Sequence, residues 1–197
     1  PLSYLKTSKG IVEDMMSHDI DIANLLMNFE TPKSVYAINT TDNEQLKSIH
    51  EIEDIEILMQ YPKGQIVKLT GSRTSAHGYD QRAEICGEFG RYTMDNVYEN
   101  TIQTQTSQGN NIGKISYTFS QRYKEAYLKE LDYFYKMIID NYGPIVEESH
   151  MLLTKKLCKS INESLTKQSQ ILLQPPTLRL YEKDTPQYHL YRDMHIN

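Results

Sequence analysis

Residues 53–70 have the sequence EDIEILMQYPKGQIVKLT, and this stretch decides the fold class. Large apolar side chains recur at every second position of its first half, which predicts a β-strand with one buried face. Pro62, Lys63 and Gly64 supply turn chemistry, so residues 65–70 are predicted to pair back as a hairpin. The alternating apolar positions are Ile55, Ile57, Met59 and Tyr61.

Further strands are predicted on both sides of this hairpin. Residues 33–40 (KSVYAINT) follow a Thr-Pro turn signal and are rich in residues that suit a pleated surface. Because these strands follow one another without intervening helices, they indicate an antiparallel meander. Three more strands are predicted over residues 79–88, 91–94 and 97–104, followed by a polar loop over residues 107–113.

Helices are predicted at both ends of the meander. Apolar residues spaced by three and four predict one helix over residues 10–28, and the same spacing predicts two more over 119–138 and 153–165. We therefore expect an α+β fold with an open, mainly antiparallel sheet and helices packed on one face. Residues 1–174 would form one domain, and residues 175–197 a polar tail extended along the surface.

Composition excludes several classes of protein. The 197 residues include 21 Lys plus Arg against 26 Asp plus Glu, a net charge of −5 that argues against a nucleic-acid partner. No apolar stretch is long enough to span a bilayer and no signal peptide is evident, so we expect a cytoplasmic protein without a membrane partner. Cys86 and Cys158 are expected to be reduced core residues. Because the chain begins at Pro1 in patterned sequence, we expect a fragment of a longer protein.

The first predicted helix carries the most unusual polar residues. Asp14, His18 and Asp21 have the spacing i, i+4 and i+7, which places them on one helix face. An aspartate beside a histidine orients the ring and stabilises its charged form, as a general base requires. An ordinary surface ion pair is the simpler alternative. We predict no metal site, because no further convincing ligand accompanies these three residues.

A second polar run, residues 72–82 (SRTSAHGYDQR), interrupts the predicted sheet. It is either a long hairpin connection or a loop that presents Tyr79 and its neighbours to a ligand. No G-x-G-x-x-G or G-x-x-x-x-G-K-[ST] motif occurs in the chain, so the sequence contains no recognisable phosphate cradle.

Taken together, the two motifs resemble the C-terminal domain of the inositol 2-dehydrogenase and glucose-fructose oxidoreductase family. The similarity covers about residues 1–174. It departs from the family pattern at Lys9, where a second glycine is frequent, and at His77, where an aromatic residue is usual. The matching segments are residues 10–15, 18–21, 72–73, 78–84, Gly87, Gly90 and the pattern of residues 119–134.

The resemblance implies a role for each polar residue. Asp14 and His18 correspond to the family's catalytic dyad: the histidine takes the hydroxyl proton of the substrate and the aspartate stabilises the imidazolium. We predict Tyr79, Asp21 and His77 as substrate-binding residues. NAD or NADP would be bound mainly by an N-terminal Rossmann domain, absent from this chain, and residues 1–174 would supply substrate-binding and oligomerisation surfaces.

We therefore expect the C-terminal domain of an NAD(P)-dependent oxidoreductase that oxidises a hydroxyl of a polyol or sugar such as an inositol. The isolated chain should be inactive. A homo-oligomer formed through the free face of the sheet is expected, since the many tyrosines suit half-buried positions. The alternative is a non-catalytic family relative that acts as a ligand-sensing or oligomerising binding module.

Overall fold

A computed structural model describes residues 2–173, so the predicted tail of residues 175–197 lies outside the described residues. The chain divides into two compact units, one formed by the segments up to Arg73 and from Gly143 onward, the other by Thr74–Tyr142. The helices are α1 (Leu2–Leu5), α2 (Ser17–Leu26), α3 (Glu44–Lys47), α4 (Phe119–Arg122), α5 (Lys124–Ile139) and α6 (Glu148–Lys167), with a π-helical turn at Val12–Met16. The strands are β1 (Ser34–Thr40), β2 (Asp54–Gln60), β3 (Ile66–Ser72), β4 (Ala83–Gly87), β5 (Gly90–Met94), β6 (Gln103–Thr106), β7 (Gly109–Ile112) and β8 (Ile171–Leu172).

The first unit contains a four-stranded antiparallel sheet in the order β3-β2-β1-β8. The three strands predicted within residues 33–70 are confirmed to within two residues at each end. The short β8 was not predicted, because its pairing with β1 depends on where α6 ends rather than on its own sequence. The α+β class with open antiparallel sheets is confirmed.

The core of the first unit lies between one face of this sheet and helices α2 and α6. Ile57 and Met59 of β2 are fully buried, together with Leu157 and Ile161 of α6. The side chain of Leu58, between the two buried β2 positions, points away from this core and is exposed. The alternation in the sequence therefore predicted the buried face of the sheet correctly.

The first predicted helix begins in an unusual way. Lys9 and Gly10 both have positive φ angles, and the chain then forms a π-helical turn before continuing as α2. Hydrogen bonds from residue i to i+5 widen the turn, and such turns are frequent at functional sites. Glycine adopts a positive φ without strain, which explains why it suits the position that Lys9 occupies in this chain.

The second unit consists of two hairpins and two helices, and here several predictions are wrong. Residues 79–82 lie outside β4, and residues 97–102 form only an isolated bridge rather than a strand. The predicted loop at 107–113 is largely β7, which pairs with β6 across a tight turn and begins at Gly109 with φ +126°. These strands are polar and exposed on both faces, so they lack the alternation that reveals a half-buried strand.

The long helix predicted over residues 119–138 is divided in two. A capping box formed by Thr118 and Gln121 begins α4, but Tyr123 leaves helical geometry and separates α4 from α5. Most apolar side chains of α5 are exposed, including Leu131, Phe134 and Ile138. Among the described residues, no helix is both long enough and apolar enough to cross a membrane.

The two cysteines lie in opposite environments. Cys158 is buried in the core of the first unit, as predicted, and burial raises the pKa of its thiol to about 11. The prediction that Cys86 is a core residue is wrong, because it lies in the exposed β4–β5 hairpin. Apolar neighbours in sequence do not bury a residue when nothing packs on either face of its strand.

This difference predicts selective thiol labelling. A thiol-specific reagent should modify Cys86 rapidly in the folded chain and Cys158 only after unfolding, since a buried thiol with a raised pKa supplies almost no thiolate. Labelling is followed by mass spectrometry with and without denaturant. Cys86→Ser should abolish the rapid reaction, and rapid modification of both thiols in the folded chain would contradict the prediction.

Candidate functional site

Asp14 lies in the middle of the π-helical turn, and His18 lies in the first turn of α2. The Asp14 side chain is only 13% exposed, whereas His18 is exposed. The predicted pair is therefore placed on consecutive turns, with the carboxylate set into the unit and the imidazole open to solvent. This arrangement leaves the imidazole accessible to a small molecule.

The carboxylate of Asp14 accepts hydrogen bonds from Arg73 and Tyr4. Nη1 of Arg73 donates to Oδ2 at 2.5 Å, and the hydroxyl of Tyr4 donates to Oδ1. The interaction of Asp14 with His18 is electrostatic and favours the ionised carboxylate. Each carboxylate oxygen is thus fixed by a donor from a different part of the first unit.

Burial would raise the pKa of Asp14, but the hydrogen bonds from Tyr4 and Arg73 and the nearby positive charge outweigh it. The pKa of this carboxyl consequently lies below its usual value. The same hydrogen bond raises the pKa of Tyr4, so the phenol remains a donor at neutral pH. Asp14 is therefore a negative charge at neutral pH beside the first turn of α2.

The sequence offered no chemical reason to select Arg73. The structure adds it to the candidate site as the main residue that the sequence analysis missed. Its side chain, 7% exposed, bridges Asp14 and the equally buried Glu51, with Nε and Nη2 both donating to Oε1 of Glu51. Nη2 also lies 3.4 Å from Oγ of Ser8. The available signal was an arginine directly after an alternating strand, but its partners lie 22 and 59 positions away.

Asp21 lies two turns further along the same helix, where α6 contacts it. Oγ1 of Thr154 donates to Oδ1 of Asp21 at 3.1 Å and accepts from Nδ2 of Asn24 at 3.0 Å. Asn24 is fully buried, and Asp21 is partly exposed. Asp21 is thus placed against α6, and its substrate-binding role stays a prediction.

The second unit holds His77 and Tyr79 in a fixed loop. Asp80 accepts hydrogen bonds from Nε2 of His77, from Arg82 and from Asn96. The bonds from Arg82, together with those from Asn96 and His77, lower the pKa of Asp80 to about 2, although burial opposes this. The loop containing both candidate residues is therefore tied to a carboxylate that stays ionised.

Tyr79 is fixed by its backbone and its ring. Its N–H donates to the carbonyl of Ser116 at 2.9 Å, and its ring packs edge-on against Tyr123 with centroids 6.0 Å apart. Gly78 precedes it at φ +129°, where a Cβ atom would lie 2.6 Å from Ile115. Only glycine fits this position, which lies between the two candidate residues His77 and Tyr79.

The chain is similar in sequence to known proteins. Residues 3–93 match the family model described as the GFO/IDH/MocA C-terminal domain. Myo-inositol 2-dehydrogenase of Thermotoga maritima is 29% identical over 174 residues, which is 88% of this chain and 52% of that protein. Residues 3–93 belong to the GFO/IDH/MocA C-terminal domain family.

Other family members agree in sequence and in structure. Inositol 2-dehydrogenase of Rhizobium meliloti is 31% identical over 68% of this chain and 41% of that protein. The crystal structure of a probable dehydrogenase from Thermotoga maritima superposes with a TM-score of 0.82 at 29% identity, over 87% of this chain and 52% of that one. Scyllo-inositol dehydrogenase from Lactobacillus casei, with bound NAD(H) and scyllo-inositol, gives a TM-score of 0.77 at 26% identity, over 84% and 48%.

The chain spans about half the length of the curated relatives that it matches. A dinucleotide cradle requires a parallel strand, a glycine-rich turn and a helix. Every paired strand within residues 2–173 is antiparallel, and the sequence has no G-x-G-x-x-G motif. The described residues of the family domain therefore do not fit the pyrophosphate of NAD(P).

Proposed function

We propose that this chain is the substrate-binding domain of an NAD(P)-dependent dehydrogenase that oxidises a hydroxyl of a polyol or sugar such as an inositol. The proposal rests on Asp14, which lies one turn before the exposed His18. The Asp14 carboxylate is ionised and is held by hydrogen bonds from Arg73 and Tyr4. The proposal gains support from the likeness to inositol dehydrogenases over most of the chain. The cofactor, which accepts hydride from the substrate carbon, would be held by a separate nucleotide-binding domain.

The residues of this chain would accept the proton that the substrate hydroxyl releases. The exposed imidazole of His18 takes the proton from the substrate hydroxyl as the alcohol becomes a carbonyl. The negative charge of Asp14 stabilises the imidazolium that forms, because opposite charges on consecutive turns attract strongly when one of them is shielded from water. Substrate binding by Asp21, and by His77 and Tyr79, stays a prediction.

The proposal includes a homo-oligomer formed through the outer face of the four-stranded sheet. This face carries Tyr36, Ile38, Leu58 and Ile66, whose side chains are 37–69% exposed. The register places Tyr36 opposite Leu58, so the apolar residues are contiguous across strands. Such a patch on a sheet is typical of an interface. A monodisperse monomer at micromolar concentration in sedimentation velocity would contradict this part of the proposal.

The catalytic role is tested with His18→Ala in the complete protein. We expect kcat for NAD(P)-dependent inositol oxidation to fall by about 10²–10⁴-fold, the usual contribution of a general base, with cofactor affinity unchanged. His50→Asn is the matched control, because it removes another exposed imidazole of the same unit and asparagine tolerates the positive φ of that position. Activity is followed by absorbance of the reduced cofactor.

Two outcomes would contradict the proposal. If the unaltered complete protein binds inositol without oxidising it, the ligand-sensing module is the better interpretation. If His18→Ala retains full turnover, His18 is not the base.

The 197-residue chain alone should form no reduced cofactor, and turnover by that chain would contradict the assignment of cofactor binding to another domain.

A further inference from the structure

We propose that Arg73 and Tyr4 are positioning residues that together hold the Asp14 carboxylate in one orientation beside the first turn of α2. This inference rests on the proposed function, in which that carboxylate acts on His18. We call the group formed by Tyr4, Arg73 and Glu51 around Asp14 the carboxylate clamp.

The geometry of the clamp fixes Asp14 from both sides. The phenol of Tyr4 donates to Oδ1 and the guanidinium of Arg73 donates to Oδ2, so rotation of the carboxylate would break both hydrogen bonds. These donors come from α1 and from the residue that follows β3. The orientation of Asp14 is therefore set by residues distant in sequence and does not depend on its own turn alone.

Glu51 fixes the arginine in turn. Nε and Nη2 of Arg73 donate to Oε1 of Glu51 at 3.2 and 3.1 Å, while Nη1 is left for Asp14. The backbone N–H of Arg73 also donates to the carbonyl of Glu53 at 2.8 Å, which extends the β2–β3 ladder. A planar guanidinium can serve two carboxylates at once, whereas a lysine ammonium acts as a single point charge.

Burial gives this arrangement its chemical importance. The side chains of Arg73, Asp14 and Glu51 are 7%, 13% and 6% exposed, so water does not replace a missing partner effectively. Without its two donors, the buried Asp14 would favour the neutral form, and a neutral carboxyl cannot stabilise an imidazolium. The clamp thus keeps Asp14 charged as well as oriented.

The charge on Asp14 is tested by carbon NMR titration of the aspartate carboxyls in the complete protein. Asp14 is assigned by the loss of its signal in Asp14→Asn. We expect its titration midpoint to rise in Tyr4→Phe and in Arg73→Lys, because each variant loses a hydrogen bond to the ionised form. Tyr92→Phe and Arg91→Lys are the controls, since both alter exposed side chains in β5. A midpoint that is unchanged in both clamp variants would overturn the inference.

The effect on the reaction is measured as kcat and KM for the same variants. We expect kcat to fall about tenfold in Tyr4→Phe, the effect of one hydrogen bond to a charged group. In Arg73→Lys we expect a fall of about 10²-fold, the effect of a misplaced catalytic group. KM should change little, because imidazolium forms only as the reaction proceeds. Unchanged kcat in both variants, or an effect confined to KM, would overturn the inference.

Folding defects do not weaken the test. Tyr4 is 53% exposed, so Tyr4→Phe removes one hydroxyl while leaving the rest of the unit in place even if Arg73→Lys fails to fold. If the unaltered protein does not oxidise inositols, the proposed function and the catalytic part of this inference both fail. The NMR midpoints then still decide whether the clamp holds the charge on Asp14.

Discussion

Replacing Arg73 by methionine is expected to lower the free energy of unfolding by about 3–5 kcal/mol, the usual result of removing one partner from a buried ion pair. Methionine keeps much of the length of the side chain but leaves two carboxylates, Asp14 and Glu51, buried without their shared cation. The loss is measured by equilibrium urea unfolding of the chain, followed by circular dichroism.

Two further variants separate the cause from a general loss of packing. Arg91→Met removes an arginine whose side chain is 63% exposed and pairs with Glu84, and it should cost less than about 1 kcal/mol. In the Arg73→Met background, Glu51→Gln should restore part of the loss because it removes one of the unpaired charges. Equal stabilities of Arg73→Met and the unaltered chain would show that the clamp does not support the fold.

The pH dependence of stability should reveal the same interaction between Arg73 and Asp14. The pKa of Asp14 is lower in the folded chain than its usual value, so the folded state favours the ionised form. The stability gained from this difference is complete above the unfolded value, near pH 4, and is lost as the pH falls through the folded value. Arg73→Met should lose less stability over that range, which urea unfolding at successive pH values would record.

Strands β1, β2 and β3 could be predicted because the sequence signal for each of them is local. From Asp54 to Gln60, one residue in two faces the core, and that period is visible without any knowledge of what covers the strand. Strand β7, like its partner β6, buries nothing on either face, so its polar residues resembled a loop. The prediction that Cys86 is buried was wrong for the same reason, since burial depends on what packs against a strand.

The candidate site was predictable only in part. The helical spacing placed Asp14 and His18 on consecutive turns, but it could not show that Asp14 would be occupied by donors from other segments. The π-helical turn around Asp14 has no local signature, because it arises where the widened turn packs on the sheet. Gly71 illustrates this: a Cβ atom there would lie 2.2 Å from Sδ of Met16.

Truncation of Leu157 to alanine is the second large effect expected. This side chain is fully buried on the face of α6 that packs against β1 and α2, and it shares its core cluster with Ile57 and Ile20. Removing it should lower the free energy of unfolding by about 2–5 kcal/mol, because a cavity remains where close packing prevents collapse. Urea unfolding of the chain measures the difference.

The matched control for this truncation is Leu152→Ala on the same helix, where the leucine is 53% exposed. Alanine is at least as good a helix former as leucine, so neither substitution weakens α6 itself, and the difference between the two variants isolates packing in the core. We expect the control to cost less than about 1 kcal/mol. Equal losses in both variants would mean that α6 does not cover the sheet through Leu157. The buried face on which β1, β2 and the π-helical turn of Asp14 depend would then have to be sought elsewhere on the helix.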